Sequence, residues 1–100
     1  MHKNIRHSVI FNFKDGVSPS DETAFFNAAK ELAKIPGVQR FELLKQTSKK
    51  NPYVYGISME FATQVLYEQY NNHPAHTQFI QNHWLKQVAD FLEIDYEGME

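Results

Sequence analysis

Ile5-Arg6-His7-Ser8-Val9-Ile10-Phe11-Asn12-Phe13 decides the fold, because Ile5, His7, Val9, Phe11 and Phe13 fall on one side and Arg6, Ser8, Ile10 and Asn12 on the other. A period of two belongs to a β-strand with one apolar face. His7 stands on that face in line with valine and phenylalanine, so it must find a partner there or stay desolvated. Lys14-Asp15-Gly16 then turns the chain, and Ser18-Pro19-Ser20-Asp21-Glu22 reads as a helix start: a cap, an early proline, and acids where the helix dipole favours them. Phe25, Phe26, Ala29, Leu32 and Ala33 recur at helical spacing, so this helix lays one side on an apolar surface until Pro36-Gly37 ends it.

Val38 to Lys45 reads as a second strand, with Phe41 and Leu43 on one face and Val38, Arg40, Glu42 and Leu44 on the other. The polar, basic stretch from Gln46 to Pro52 is a loop. Tyr53 opens a third strand whose odd positions, Tyr53, Tyr55, Ile57, Met59 and Phe61, form a continuous apolar face against Gly56, Ser58 and Glu60. Thr63 to Tyr70 follows as a second helix, capped by Thr63, in which Val65, Leu66, Gln69 and Tyr70 share a side. Beyond Pro74 the helix resumes with Phe79, Ile80, His83, Trp84, Gln87 and Val88 near one face, and Phe91 to Glu97 forms the last strand. Asp95 falls on the side of that strand opposite Leu92 and Ile94, where it is expected to serve the sheet edge or a helix end structurally.

The order strand, helix, strand, strand, helix, strand predicts an α+β, ferredoxin-like βαββαβ fold over residues 1–100 as one domain, with four antiparallel strands and the helices on one face. The other face carries Ser8, Ile10, Asn12, Gly56 and Ser58, with Leu44 or Ile94 beside them. A face of that composition is poorly suited to water, and a second copy packed sheet against sheet would cover it, so a homodimer through the open sheet face is expected.

Tyr70-Asn71-Asn72-His73-Pro74-Ala75-His76 gathers a phenol, two amides and two imidazoles at one break. Proline suits the first position of a helix and pushes its predecessor out of helical geometry, so Tyr70 closes one run, His73 sits at the bend and His76 begins the next. An imidazole pinned there is placed to handle protons. It equally suits a capping His73 and a packed, hydrogen-bonded His76, and the sequence leaves both readings open.

A chain of 100 residues with a formal charge of −2 has enough length for one core and no basic excess that would point to nucleic acid; Lys45, Lys49 and Lys50 read as a solvated loop. Without cysteine, disulfides, thiolate metal sites and cysteine nucleophiles are excluded. His2, Lys3 and Arg6 precede an apolar run too short and too interrupted for a signal peptide, and no run approaches the ~20 apolar residues of a membrane span, so a cytoplasmic location is expected. His76 and His83, two helical turns apart, lie about 10 Å apart along a helix axis, too far for one ion, and no metal or cofactor is expected.

These residues resemble the stress-responsive A/B barrel, or dimeric alpha-beta barrel (Dabb), family. The resemblance rests on Arg6-His7 opening strand one, Phe25-Phe26 in the first helix, Pro36-Gly37-Val38, the run from Tyr70 to His-Pro-Ala-His, and Ile94-Asp95-Tyr96 closing the last strand. It implies ferredoxin-like protomers that dimerise through their sheets, most of them with no assigned activity. One plant branch is a polyketide cyclase with a pocket between helices and sheet. Its general-base histidine matches His76, its tyrosine matches Tyr70 and a further pocket histidine matches His7; where it has another histidine, Tyr55 stands here. Parity independently places His7 and Tyr55 on the helix-facing side of the sheet. The expected site therefore has His76, Tyr70 and His7 as the chemical groups, with Tyr55, Val9, Phe11, Phe25, Phe26, Ile57, Met59, His73, Phe79 and Trp84 lining a pocket for a small apolar molecule. A filled core in which the aromatics touch is the alternative. A non-catalytic binding protein and a cyclase- or lyase-like enzyme using His76 as general base on a carbonyl substrate both fit.

Overall fold

In the computed structural model, which describes residues 4–99, the strands are β1 (Ile5–Phe13), β2 (Gln39–Lys45), β3 (Tyr55–Phe61) and β4 (Val88–Glu97). His2 and Lys3 lie outside the described residues. The helices are α1 (Pro19–Lys30), α2 (Gln64–Asn72) and α3 (Pro74–Phe79). All the strands pair antiparallel in the order β2-β3-β1-β4, which is the ferredoxin-like arrangement. Among the described residues no helix is long and apolar enough to cross a membrane.

The alternation of β1 becomes its burial: Ile5, His7, Val9 and Phe11 are buried under the helices, while Arg6, Ser8 and Ile10 face the other way. Register carries this parity across the sheet, since directly opposed residues share a face. His7 lies opposite Met59 and Asp95, Val9 opposite Ile57 and Glu93, and Phe11 opposite Tyr55 and Phe91. The helix side of the sheet thus includes Glu93 and Asp95 of β4. Ile10, Leu44, Leu92, Ile94 and Tyr96 share the uncovered side, where Leu92 and Tyr96 keep 48% and 55% of their surface exposed.

Local chemistry explains the helix ends. Ser18 accepts from the Asp21 N–H at 3.1 Å, Asp21 accepts back from the Ser18 N–H, and Pro19 occupies the first turn, a complete capping box. Thr63 caps α2 by accepting from the Leu66 N–H. Gly37 adopts φ +95°, a left-handed turn open to glycine, with the Leu66 side chain 3.3 Å from where a β-carbon would stand.

Several elements differ from the sequence expectation. The first helix tightens into a 3-10 turn at Glu31–Lys34, which buries Leu32 and Ile35 and turns Ala33 outward. Arg40 sits at φ +51° where the β2–β3 register shifts, a bulge that interrupts the expected alternation of β2. Tyr53 and Val54 precede β3 in a loop whose backbone is held by the side chains of Gln46, Asn51 and Asn12. In α2, Val65 is 60% exposed and the buried residues are Tyr67 and Tyr70, so the helix is rotated from the expected stripe. After α3 the chain widens into a π-helical turn at Ile80–Trp84, makes a short turn at Leu85–Gln87, and enters β4 at Val88 rather than Phe91.

Candidate functional site

The layer between sheet and helices has a filled end and an open end. At the filled end Phe11, Phe13, Phe25, Phe26 and Tyr55 interlock, with Phe13 edge-on to Phe25 at 5.0 Å and Phe26 5.2 Å from Tyr55. The Tyr55 hydroxyl donates to Glu22 Oε1 at 3.1 Å. At the open end a small cavity of about 50 Å³, open to solvent at its mouth, is lined by His7, Val9, Leu32, Ile57, Met59, Tyr70, His76, Phe79, Ile80, Trp84 and Glu93.

Of the residues expected at the site, the structure brings together His7, Tyr70 and His76 with Val9, Ile57, Met59, Phe79 and Trp84 around this cavity. Phe11, Phe25 and Phe26 belong to the filled aromatic cluster, and Tyr55 points its hydroxyl at α1. The space is too tightly interlocked there to continue the cavity. His73 does not line the cavity either. It is the cap of α3, its Nδ1 accepting from the Ala75 N–H at 3.1 Å, which is the capping reading of the bend. Pro74 takes the first helical position, as its missing N–H allows.

His76 is half-buried, with its ring 4.6 Å from that of Tyr70. Its Nδ1 lies 3.2 Å from the Asn71 carbonyl, which can only accept, so Nδ1 carries the proton and Nε2 keeps the lone pair. Burial disfavours the imidazolium and pulls the His76 pKa below its ordinary 6.5, only partly opposed by the Asn71 carbonyl. The ring is therefore neutral at pH 7. The Tyr70 phenol is held well above its ordinary range, by burial first and then by Tyr67 and Glu93, and stays protonated as a donor.

His7 is built into a second cluster. Its Nδ1 donates to Asp95 Oδ1 at 2.6 Å, and the Tyr67 hydroxyl, 2.9 Å from the same nitrogen, donates to Asp95 Oδ2 at 2.9 Å. Burial, reinforced by the Asp95 carboxylate, raises the Tyr67 pKa and keeps that phenol protonated. Asp95 thus serves the floor of the site, not a sheet edge or helix end, because the register sets it opposite His7. Tyr67 and Glu93 are the site residues that sequence reasoning passed over. Tyr67 precedes Tyr70 by one helical turn, a spacing that puts both phenols on one face, and Glu93 shares the parity of Asp95.

His83 stacks on Phe79 at 5.7 Å. Among the described residues no group of three or more histidine, cysteine or acidic side chains is placed to hold a metal ion.

A four-stranded antiparallel sheet with helices on one face, an uncovered opposite face and a histidine- and tyrosine-lined cavity defines a ferredoxin-like α+β protein. The family model for the stress responsive A/B barrel domain matches residues 5–98, and the chain belongs to that family. A Dabb family protein of ferredoxin-like fold from Mesorhizobium loti is 43% identical, with a TM-score of 0.92 over 98% of this chain and 99% of that one. A protein of Arabidopsis thaliana is 27% identical, with a TM-score of 0.86 over 96% of each chain. The hydroxynitrile lyase of Passiflora edulis shares the fold at 12% identity, with a TM-score of 0.89 over 100% of this chain and 97% of that one. Others of this fold are described as dimeric, among them a Thermobifida fusca protein of unknown function at 19% identity, with a TM-score of 0.83 over 98% and 93% of the two chains. No curated protein matches the sequence.

Proposed function

We propose that this chain binds a small, largely apolar molecule in the cavity between sheet and helices, and that it does so as a homodimer. The observation that carries the first part is the cavity itself: apolar walls from Val9, Ile57, Met59, Ile80 and Trp84, with three convergent polar rings at one end. An exposed apolar strip of Leu44, Leu92 and Tyr96 on the face away from the helices supports the second, as do the dimeric neighbours. Chemical-shift mapping with a library of single-ring fragments tests the binding reading. Shifts should cluster on Val9, Ile57 and Met59, and a library that perturbs none of them would remove the reading. Light scattering during size exclusion should give a dimer at micromolar concentration, and a stable monomer would leave the apolar face unexplained.

A second reading is favoured by the state of His76. A neutral imidazole with a fixed Nε2 lone pair, beside a protonated Tyr70 phenol, can take a proton next to a carbonyl while the phenol donates to the oxyanion that forms. The reaction class is a cyclase- or lyase-like proton transfer on a carbonyl substrate, and the lyase neighbour shares the fold that such a site would use. His76→Ala should lower turnover by ~10²–10⁴ with fold and dimer intact. Full activity in that variant, in an assay found by screening carbonyl compounds, would sink the catalytic reading.

A further inference from the structure

The cavity has two imidazoles whose Nδ1 positions are both committed to protein acceptors, His76 to the Asn71 carbonyl and His7 to Asp95. A neutral imidazole carries one N–H, so in each ring the remaining nitrogen, Nε2, is an acceptor. Neither Nε2 has a protein partner among the described residues, and neither is a buried orphan, as ring nitrogens bordering an open cavity would be. The charge around them is one-sided. Glu93 lines the cavity, Asp95 stands behind His7, and among the described residues the lining includes no arginine or lysine.

From this we infer that the cavity selects an uncharged ligand that offers two hydrogen-bond donors, one to Nε2 of His76 and one to Nε2 of His7, and that Asp95 and Tyr67 are the positioning residues that hold His7 in the accepting tautomer. The inference rests on the binding reading above and sharpens it to a substrate class: a hydroxylated, non-anionic molecule about one ring in size. A carboxylate or phosphate would meet two lone pairs and a carboxylate with no cation to offset them. A ligand with a single donor would leave one acceptor nitrogen desolvated and unpaired. Tyr67 matters because its hydroxyl donates to the second Asp95 oxygen, which holds the carboxylate in place and leaves Oδ1 for the His7 N–H.

Three probes separate these effects: 1-phenylethane-1,2-diol, 2-phenylethanol and phenylacetate, titrated calorimetrically against the full chain at pH 8, where imidazoles are ordinarily neutral. The diol should bind about five- to tenfold tighter than the mono-alcohol, the worth of one added neutral hydrogen bond, and phenylacetate more weakly than either. Asp95→Ala should erase the advantage of the second hydroxyl, bringing the affinities for the diol and for 2-phenylethanol together. Tyr67→Phe, which keeps the ring and its packing, should reduce that advantage and serves if the first variant does not fold. Long-range ¹H–¹⁵N correlation of the histidine rings reads the tautomer directly, and the expected form of His7 is Nδ1–H. An Nε2–H tautomer at His7, or equal affinity for diol and mono-alcohol, overturns the inference while the binding reading stands. Failure of all three probes to bind overturns both.

Discussion

The two ends of the layer under the helices come from the same strand parity and yet do opposite things. Phe11 and His7 lie on one face of β1, two steps of the alternation apart, and both are buried. Around Phe11 the neighbours are large rings that meet edge to face, and the space closes. Around His7 the ring of Tyr70 lies 6.4 Å away, and the polar atoms of Tyr67 and Asp95 are tied to His7 and to each other by directed bonds of 2.6–2.9 Å. The first end therefore supplies packing and the second keeps a cavity.

Breaking the filled end should give the largest change. Phe25 is fully buried among Phe11, Phe13, Phe79 and Trp84, so Phe25→Ala should cost about 3–5 kcal/mol, read as a lower denaturant midpoint with an unchanged slope. A loss near 1 kcal/mol would mean that this end is not the rigid one. Asp95→Asn at the open end should cost less, about 1–2 kcal/mol, because the 41%-exposed carboxylate is partly solvated and the side chain keeps one accepting oxygen. A neutral change would show that the His7 cluster contributes to function only.

Acidification sharpens the contrast further. Burial lowers the His76 pKa in the folded protein, so below about pH 6.5 the unfolded chain binds a proton that the folded chain does not. The folded state then loses stability as pH falls through that value towards the lowered one, and the loss levels off below it. Wild type should lose more melting temperature between pH 7.5 and 5.5 than His76→Gln, with the two parallel above pH 7.5; equal slopes throughout would contradict the burial of this ring. The smallest effect belongs to His73→Ala, which removes one cap acceptor and should cost about 0.5–1 kcal/mol without altering ligand binding.

How far the sequence reached can be seen residue by residue. Alternation in β1 and β3 was enough to assign the helix-facing side, since a period of two leaves no other burial for Val9, Phe11, Ile57 and Met59. Pro74 likewise dictated the bend and the first turn of α3. The order of elements determined the fold, and the His-Pro-Ala-His run pointed to His76 beside Tyr70. Tyr55 shows where that reasoning stopped. Its parity is as expected, but parity gives the side of the sheet and not the position along it, and its ring ends among phenylalanines with its hydroxyl on Glu22. The rotation of α2 that buries Tyr67, and the register that carries Asp95 to His7 from 88 residues away, depend on how separate elements dock. Sequence periodicity is a local property and settles which face of an element is apolar; which polar groups meet across the core is set by register and helix rotation, and those exist only once the whole chain has packed.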